Sequence, residues 1–235
     1  MLQLQRQNDI IRLLKANKEM TVKELCSELF CSPATVRRDL CELETQGLIK
    51  RSFGGAVFND SFFDQQPLSI RGVKNISEKQ RICAKAAQFI SEGDTVFIDA
   101  SSTTFFLAAY LKDIPNVTVI TNNPHLNIEL SQMGVKNYCT GGKMLNSSIA
   151  LVGIEAERFV RGVRANVFFF SARGFCDGKI YDSSKDERDI KITMLECSEK
   201  AFFLCDSTKR GKKFTFVVAD ANGVDAVIEE GNRED

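Results

Sequence analysis

Between Thr21 and Ala56 the chain carries two helix starts, a helix stop and a glycine turn in close succession. Thr21 followed at the third position by Glu24 is a capping-box spacing, so a helix is expected to begin at Val22. Val22, Leu25, Cys26 and Leu29 then fall on one face of it. Phe30-Cys31 makes a short turn, and Ser32 with Pro33 supplies an N-cap and a first helical position that needs no N–H. The helix that follows, over residues 33–46, buries Val36, Leu40 and Leu43 and stops at Gly47. A preceding helix over residues 3–16 offers Leu4, Ile10, Ile11 and Leu14. Leu48 to Phe58 alternates around Gly54-Gly55 as a two-stranded hairpin should.

That order of elements is a winged helix-turn-helix over residues 1–58. At 100° per residue, Ala34 and Arg38 lie almost opposite the Val36/Leu40/Leu43 stripe, with Thr35 and Arg37 on its flanks. A small residue beside two arginines near a helix start suits entry into a major groove, and Lys50 and Arg51 decorate the wing. Candidate DNA-binding residues are therefore Thr21, Ser32, Pro33, Ala34, Thr35, Arg37, Arg38, Lys50, Arg51, Gly54 and Gly55. The local pattern has to carry this reading, because the formal net charge is zero and residues 1–58 hold nine Lys/Arg against seven Asp/Glu. The basic residues of the motif are adjacent, with acids expected elsewhere.

Residues 59–75, with Pro67, Gly72, Phe62 and Phe63, break the periodicity and read as a linker that packs rather than floats. From residue 76 to 235, short apolar runs alternate with helical stretches. The runs are Thr95–Ala100, Val117–Thr121, Lys136–Thr140, Ala165–Ala172 and Lys200–Asp206. The helices are expected over residues 77–90, 103–111, 124–133, 153–161 and 184–198. This rhythm specifies an α/β domain with a mainly parallel sheet, whose ligands bind at the C-terminal strand ends. Those ends are polar: Asp99 to Thr104, Thr121-Asn122-Asn123, Gly141-Gly142-Lys143, Ser171 to Gly174, and Asp206 to Lys209. Hydroxyls and free backbone N–H groups at helix starts bind phosphate oxygens, and Lys209 adds a cation. No dinucleotide or P-loop glycine pattern is present.

Ser32-x-x-Thr35-Val36-Arg37-Arg38-Asp39-Leu40, with Leu43-Glu44, Gly47, Arg51 and Gly54-Gly55-Ala56, resembles the DNA-binding segment of the DeoR family of bacterial sugar-metabolism regulators. Asp99, Thr121-Asn122-Asn123, Gly141-Gly142-Lys143, Leu151-Val152-Gly153, Glu187-x-x-x-Lys191 and Asp206-x-x-Lys209 resemble that family's effector domain, similar in fold to ribose-5-phosphate isomerase. The resemblance implies a phosphorylated sugar effector held by Asp99, Ser101, Ser102, Thr103, Thr104, Asn122, Asn123, Gly142, Lys143 and Lys209. Arg173 and Glu187 join the candidates, Glu187 and Lys191 forming either an ion pair facing the crevice or a surface pair. Ser101 stands where the family commonly has Gly. The sequence given reaches Asp235 soon after the strand-like Val224–Glu229, so the sheet is expected to lack a final element.

Three functions compete. The first is a transcriptional regulator, a repressor by resemblance, that binds double-stranded operator DNA of a carbohydrate-metabolism operon and answers to a phosphorylated sugar. Paired half-sites imply a homodimer or homotetramer. The second is a sugar-phosphate isomerase-like enzyme with an appended DNA-binding domain, using Asp99, Glu187 and Lys209 to move a proton. The third is a protein-contact module. Arg37, Arg38 and Arg51 together in one motif argue against the last. No cofactor or metal is expected: eight scattered cysteines without a CxxC and a single His125 fit reduced, buried thiols. With no apolar run near the ~18 residues of a membrane span and no signal-peptide core, a cytoplasmic protein is expected.

Overall fold

The computed structural model describes residues 3–45, 49–52, 54–58 and 75–231, which fall into two compact units within 1–66 and 67–235. The expected linker lies, except for Asn75, outside the described residues, as do Gly47 and the side chain of Leu4.

In the first unit, α1 (Gln3–Asn17), α2 (Val22–Leu29) and α3 (Pro33–Thr45) pack around Ile10, Leu14, Leu25, Leu29, Val36, Leu40 and Leu43, all buried. The capping box is formed: Thr21 Oγ1 accepts from Glu24 N at 3.2 Å while Thr21 N donates to Glu24 Oε2 at 2.7 Å. That backbone donor, seconded by the Thr21 hydroxyl, holds the Glu24 carboxyl below its ordinary value. The wing, β2 (Ile49–Ser52) and β3 (Gly55–Phe58), gains a strand that the alternation did not reveal. β1 (Glu19–Thr21) pairs with β3, giving the order β1-β3-β2. Three residues before a helix cap are too few to show a period of two. Gly55 is explained by this strand, because a Cβ there would meet Met20 O at 2.4 Å and Thr21 Cα at 2.9 Å.

Not every acid of the motif lies away from its arginines. Asp39, next to Arg38, turns inward, is fully buried, and receives the Arg6 guanidinium through Nε and through Nη2 at 3.1 Å. The Asp39 hydrogen bond, against the cost of burial, raises Arg6 further above its ordinary value. This fork bolts α1 to the helix that presents Arg37 and Arg38.

The second unit is a six-stranded parallel sheet of order β14-β12-β9-β4-β5-β6. Its strands are β4 (Thr95–Ile98), β5 (Thr118–Thr121), β6 (Lys136–Cys139), β9 (Ala165–Phe170), β12 (Ser198–Leu204) and β14 (Ala226–Ile228). All five expected apolar runs are strands of this sheet, and the Val224–Glu229 stretch supplies β14 at its edge. One face takes Val96, Ile98, Val167 and Phe169 against α4 (Ile76–Ala87), α5 (Ala108–Leu111) and α6 (Pro124–Gln132). The other takes Phe97, Phe168, Phe170 and Phe203 against α7 (Ile154–Arg161) and α8 (Lys185–Glu196). Both faces are covered, so the strands read as continuous apolar runs, Phe168-Phe169-Phe170 above all.

Two smaller pieces were not foreseen from the sequence. One is the hairpin of β7 (Lys143–Leu145) and β8 (Ala150–Val152). The other is an antiparallel sheet, β10 (Gly174–Cys176), β11 (Lys179–Asp182) and β13 (Phe216–Asp220). The chain lays down β4, β5 and β6 in one direction, then returns to place β9 on the far side of β4. The strand order therefore reverses between β4 and β9, and the crevice of such a sheet opens there.

Asp39→Ala should remove the carboxylate that the Arg6 guanidinium forks onto and cost about 2–3 kcal/mol, read as a lower urea midpoint by circular dichroism. An unchanged midpoint would remove this pair from the supports of the unit.

Candidate functional site

The exposed strip of α3 carries Pro33, Ala34, Arg37 and Arg38, with Thr35 half-buried and Ser32 capping the helix by accepting from Thr35 N at 3.3 Å. Neither arginine has an ion-pair partner among the described residues. Lys50 is exposed on β2. Arg51 instead folds back on α3, its backbone N–H on Glu44 Oε1 at 3.0 Å and its Nη1 at 3.3 Å from Cys41 Sγ. An open groove of about 450 Å³ runs between the starts of α2 and α3 and the wing turn, lined by Thr21, Lys23, Ser27, Pro33, Arg37 and Gly54. Two helix N-termini, Lys23 and Arg37 make it attractive to an anion. Gly54 serves the turn at φ +86°, its carbonyl accepting from Val22 N at 2.9 Å.

In the parallel sheet the loops after β4 and β9 meet at the switch point. Asp99, at the end of β4, is buried and fully engaged. Oδ1 accepts from Ser101 N at 3.2 Å and Thr104 Oγ1 at 2.8 Å, and Oδ2 accepts from Ser171 N at 3.2 Å. Ser101 accepts from Thr104 N at 3.2 Å, so Ser101 and Thr104 brace the loop from within. Lys209, from the 3-10 turn after β12, reaches across. Its Nζ donates to Thr103 Oγ1 at 2.9 Å and to Ser171 Oγ, and pairs with Asp206 Oδ2 at 3.0 Å. Burial of Asp206 is outweighed by Lys209 and by the Thr208 hydroxyl, which hold its carboxyl down at about 2.

Two further cations belong here, Lys79, which the sequence reading missed, and Lys191, which it named with Glu187 as either a crevice-facing or a surface pair. Lys79 of α4 is 4% exposed and donates to Ser102 Oγ at 3.2 Å. It lies three and four residues before buried Ile82 and Cys83, so a charge on the helix's apolar stripe was the readable sign. Lys191 of α8 is buried against Asp182, Asp99 at 3.6 Å and Glu187 at 4.0 Å. Burial alone would lower its pKa, but the three carboxylates outweigh that and raise it above the usual lysine value. Burial raises Asp182 despite Lys191. Glu187 is thus buried within this network, which decides against a surface pair.

Asn122 and Asn123 end β5. Asn122 Nδ2 donates to Leu151 O at 3.0 Å, and Asn123 Oδ1 caps α6 by accepting from His125 N at 3.0 Å and Leu126 N at 3.2 Å. Arg173 follows β9 with its Nε buried and without a hydrogen-bond partner among the described residues. Two candidates stand apart from this cluster. Lys143 is on the surface, 3.9 Å from Asp186. Gly142, at φ +105°, is needed because a Cβ would meet Val152 O at 2.6 Å. Burial pushes the Cys83 and Cys205 thiols up to about 12, leaving them neutral packing groups. Among the described residues no cluster of His, Cys, Asp or Glu could hold a metal, and no helix is long and apolar enough to cross a membrane.

The DeoR-like helix-turn-helix domain matches residues 6–62 and the DeoR C terminal sensor domain matches residues 74–231. The HTH-type transcriptional regulator GolR of Listeria innocua is 34% identical over 97% of this chain and 91% of its own. The L-fucose operon activator of Haemophilus influenzae is 30% identical over 96% and 91%. The lactose phosphotransferase system repressor of Staphylococcus epidermidis is 30% identical over 97% and 92%. Among solved structures, eIF2B delta from Chaetomium thermophilum shares the fold alone, with TM-score 0.52 and 14% identity over 96% of this chain and 71% of that one. Ribose 5-phosphate isomerase A from Neisseria gonorrhoeae overlays at TM-score 0.41 and 15% identity on 56% of this chain and 52% of its own, too small a match to argue from.

Lys191→Met should leave three buried carboxylates without their counter-charge and cost about 3–5 kcal/mol, measured by urea denaturation. Retained stability would show that the carboxylates do not depend on this ammonium.

Proposed function

The chain belongs to the DeoR family of transcriptional regulators, and on that premise we propose that it represses a carbohydrate-metabolism operon under the control of a phosphorylated sugar. Double-stranded operator DNA is gripped by the α3 strip of Ala34, Arg37 and Arg38, with Lys50 on the wing and the groove of Lys23 and Thr21 on the backbone. A bidentate arginine on a guanine edge reads sequence, whereas lysines on phosphates set affinity and its dependence on salt. The effector's phosphate lies at Ser102 and Thr103, between Lys79 and Lys209. The protein works as a homodimer or homotetramer, so that two heads meet two half-sites.

The observation that carries the reading is the convergence of two lysines on the hydroxyls of Ser102, Thr103 and Ser171 at the switch point, in a chain that also bears an arginine strip with no ion pair among the described residues. Lys79 and Lys209 each donate to hydroxyls there, Lys209 also pairing with Asp206, and a phosphate dianion is a stronger acceptor than a neutral hydroxyl. An isomerase would need a free base, and both oxygens of Asp99 are already taken. Turnover of pentose or hexose phosphates by the purified chain would reverse this choice.

Operator fragments from the chain's own genomic neighbourhood, titrated by fluorescence anisotropy with and without a panel of sugar phosphates, test the whole reading. Arg38→Ala should weaken specific binding between about tenfold and hundredfold and relax preference at one base position. Equal affinity would take Arg38 off the list of contacts. Lys209→Ala should abolish the response to sugar phosphates and leave effector-free operator binding intact. Loss of both would mean that Lys209 supports the fold instead.

A further inference from the structure

Three side chains in the sensor unit are almost wholly buried and still have a polar atom with no partner among the described residues. They are Asn122 (Oδ1), Asn123 (Nδ2) and Ser148 (Oγ), at 2%, 0% and 1% exposure. Buried polar atoms are nearly always paired, and the exceptions call for a reason. Each of the two amides is fixed at its other end. Asn122 spends Nδ2 on Leu151 O, while its backbone carbonyl accepts from Leu151 N at 2.8 Å. Asn123 spends Oδ1 on the first turn of α6. What remains is an acceptor, a donor and a hydroxyl that can be either.

Ser148 sits in the turn of the β7–β8 hairpin, three residues before Leu151, the residue through which the hairpin is joined to Asn122. Its neighbour Ile149 is held at φ +52°, an uncomfortable region for a β-branched residue. Across the sheet, the ends of β12, β9, β4 and β5 carry Lys209, Ser171, Ser102 with Thr103, and Asn122 in that order. Neighbouring strands are about 4.8 Å apart, so Asn122 stands one to two strand spacings from the lysines. The crevice therefore has a cationic end and a neutral end separated by the reach of a short carbon chain. A bare phosphate satisfies the first and leaves Asn122 Oδ1 unpaired. Only a ligand that also brings hydroxyl groups answers both.

We propose that Ser148, with Asn122 and Asn123, forms a hydroxyl-reading subsite that receives the polyol part of the phosphorylated ligand and decides which sugar is accepted. The proposal rests on the reading of the crevice as a phosphorylated-sugar site. Ser148 donates to or accepts from one ligand hydroxyl, another donates to Asn122 Oδ1, and Asn123 Nδ2 donates to a third oxygen. The phosphate stays with Lys79 and Lys209.

Isothermal titration of the full chain with inorganic phosphate, glycerol 3-phosphate and a panel of pentose and hexose phosphates tests this. In Ser148→Ala the tightest sugar phosphate should weaken by about tenfold or more, while inorganic phosphate stays within about twofold. Discrimination between epimers should narrow, and Ser148→Thr, which keeps a hydroxyl, should recover most of the affinity. If Ser148→Ala does not fold, Ser148→Cys carries the same expectation. The proposal is overturned if Ser148→Ala binds every sugar phosphate as the parent chain does, or loses inorganic phosphate equally. Should Lys209→Ala lose all phosphates while Ser148→Ala changes nothing, this proposal alone falls. Should the parent chain bind no phosphorylated compound, the reading of the crevice falls and takes this one with it.

Discussion

One buried ammonium group holds the floor of the crevice. Lys191 lies within ion-pair reach of Asp99 from the parallel sheet, Asp182 from the small antiparallel sheet and Glu187 from its own helix. Three carboxylates brought together out of water would repel and protonate, and Asp182 already tends that way because of its burial. Lys191 makes the arrangement possible through its charge and its hydrogen bond to Asp182, with carboxylates sufficient to keep the ammonium protonated in spite of its own burial. Asp99 in turn accepts from Ser171 N and Thr104, and so fixes the two loops that meet at the switch point. The geometry of Ser102, Thr103 and Ser171 thus descends from a contact none of them makes.

Above that floor the charge balance changes sign. Lys79 and Lys209 approach the hydroxyls of one small region, and Asp206 offsets only part of their charge. Asp206 stays ionised far below neutrality, so the pair with Lys209 is present across the physiological range. Its folded pKa is depressed, so its contribution to stability is present above the ordinary carboxylate value of about 3.9 and is lost as pH falls toward 2. Both lysines also donate to hydroxyls of this region, which are weaker acceptors for an ammonium than a doubly charged phosphate.

Much of this was legible in the residues. Continuous apolar runs such as Ala165–Phe170, alternating with helical stretches, announced a mainly parallel sheet, and its cover on both faces explains three consecutive phenylalanines. Thr21 and Glu24, or Ser32 and Pro33, announced helix starts because capping depends on residues three apart and on nothing distant. What stayed hidden depended on the third dimension. The inward turn of Asp39 onto Arg6 joins residues 33 positions apart, and no local spacing encodes it. Asp182 and Ser148 sit in pieces of sheet too short to show a period. Lys79 could have been found on its helix's apolar stripe, yet the strand-end rule directed attention to loops. The same rule brought in Lys143, which the hairpin carries to the surface.

A regulator of this kind needs more than two sites, because an effector shifts DNA affinity only by the difference in its own affinity for the two states of the protein. A hundredfold shift requires about 2.7 kcal/mol of such difference. The crevice has a source of that size. A buried polar atom without a partner costs about 1–3 kcal/mol, and a ligand hydroxyl arriving in the right place removes that cost. Asn122 and Asn123 are locked by their second hydrogen bonds to the hairpin and to α6, so the ligand's reward depends on where those two elements stand. In the proposed reading, the state of the protein that keeps hairpin and helix in register with the lysines is the state the sugar phosphate selects. A phosphate alone, bound by the lysines and indifferent to the hairpin, would occupy the crevice with little power to switch it.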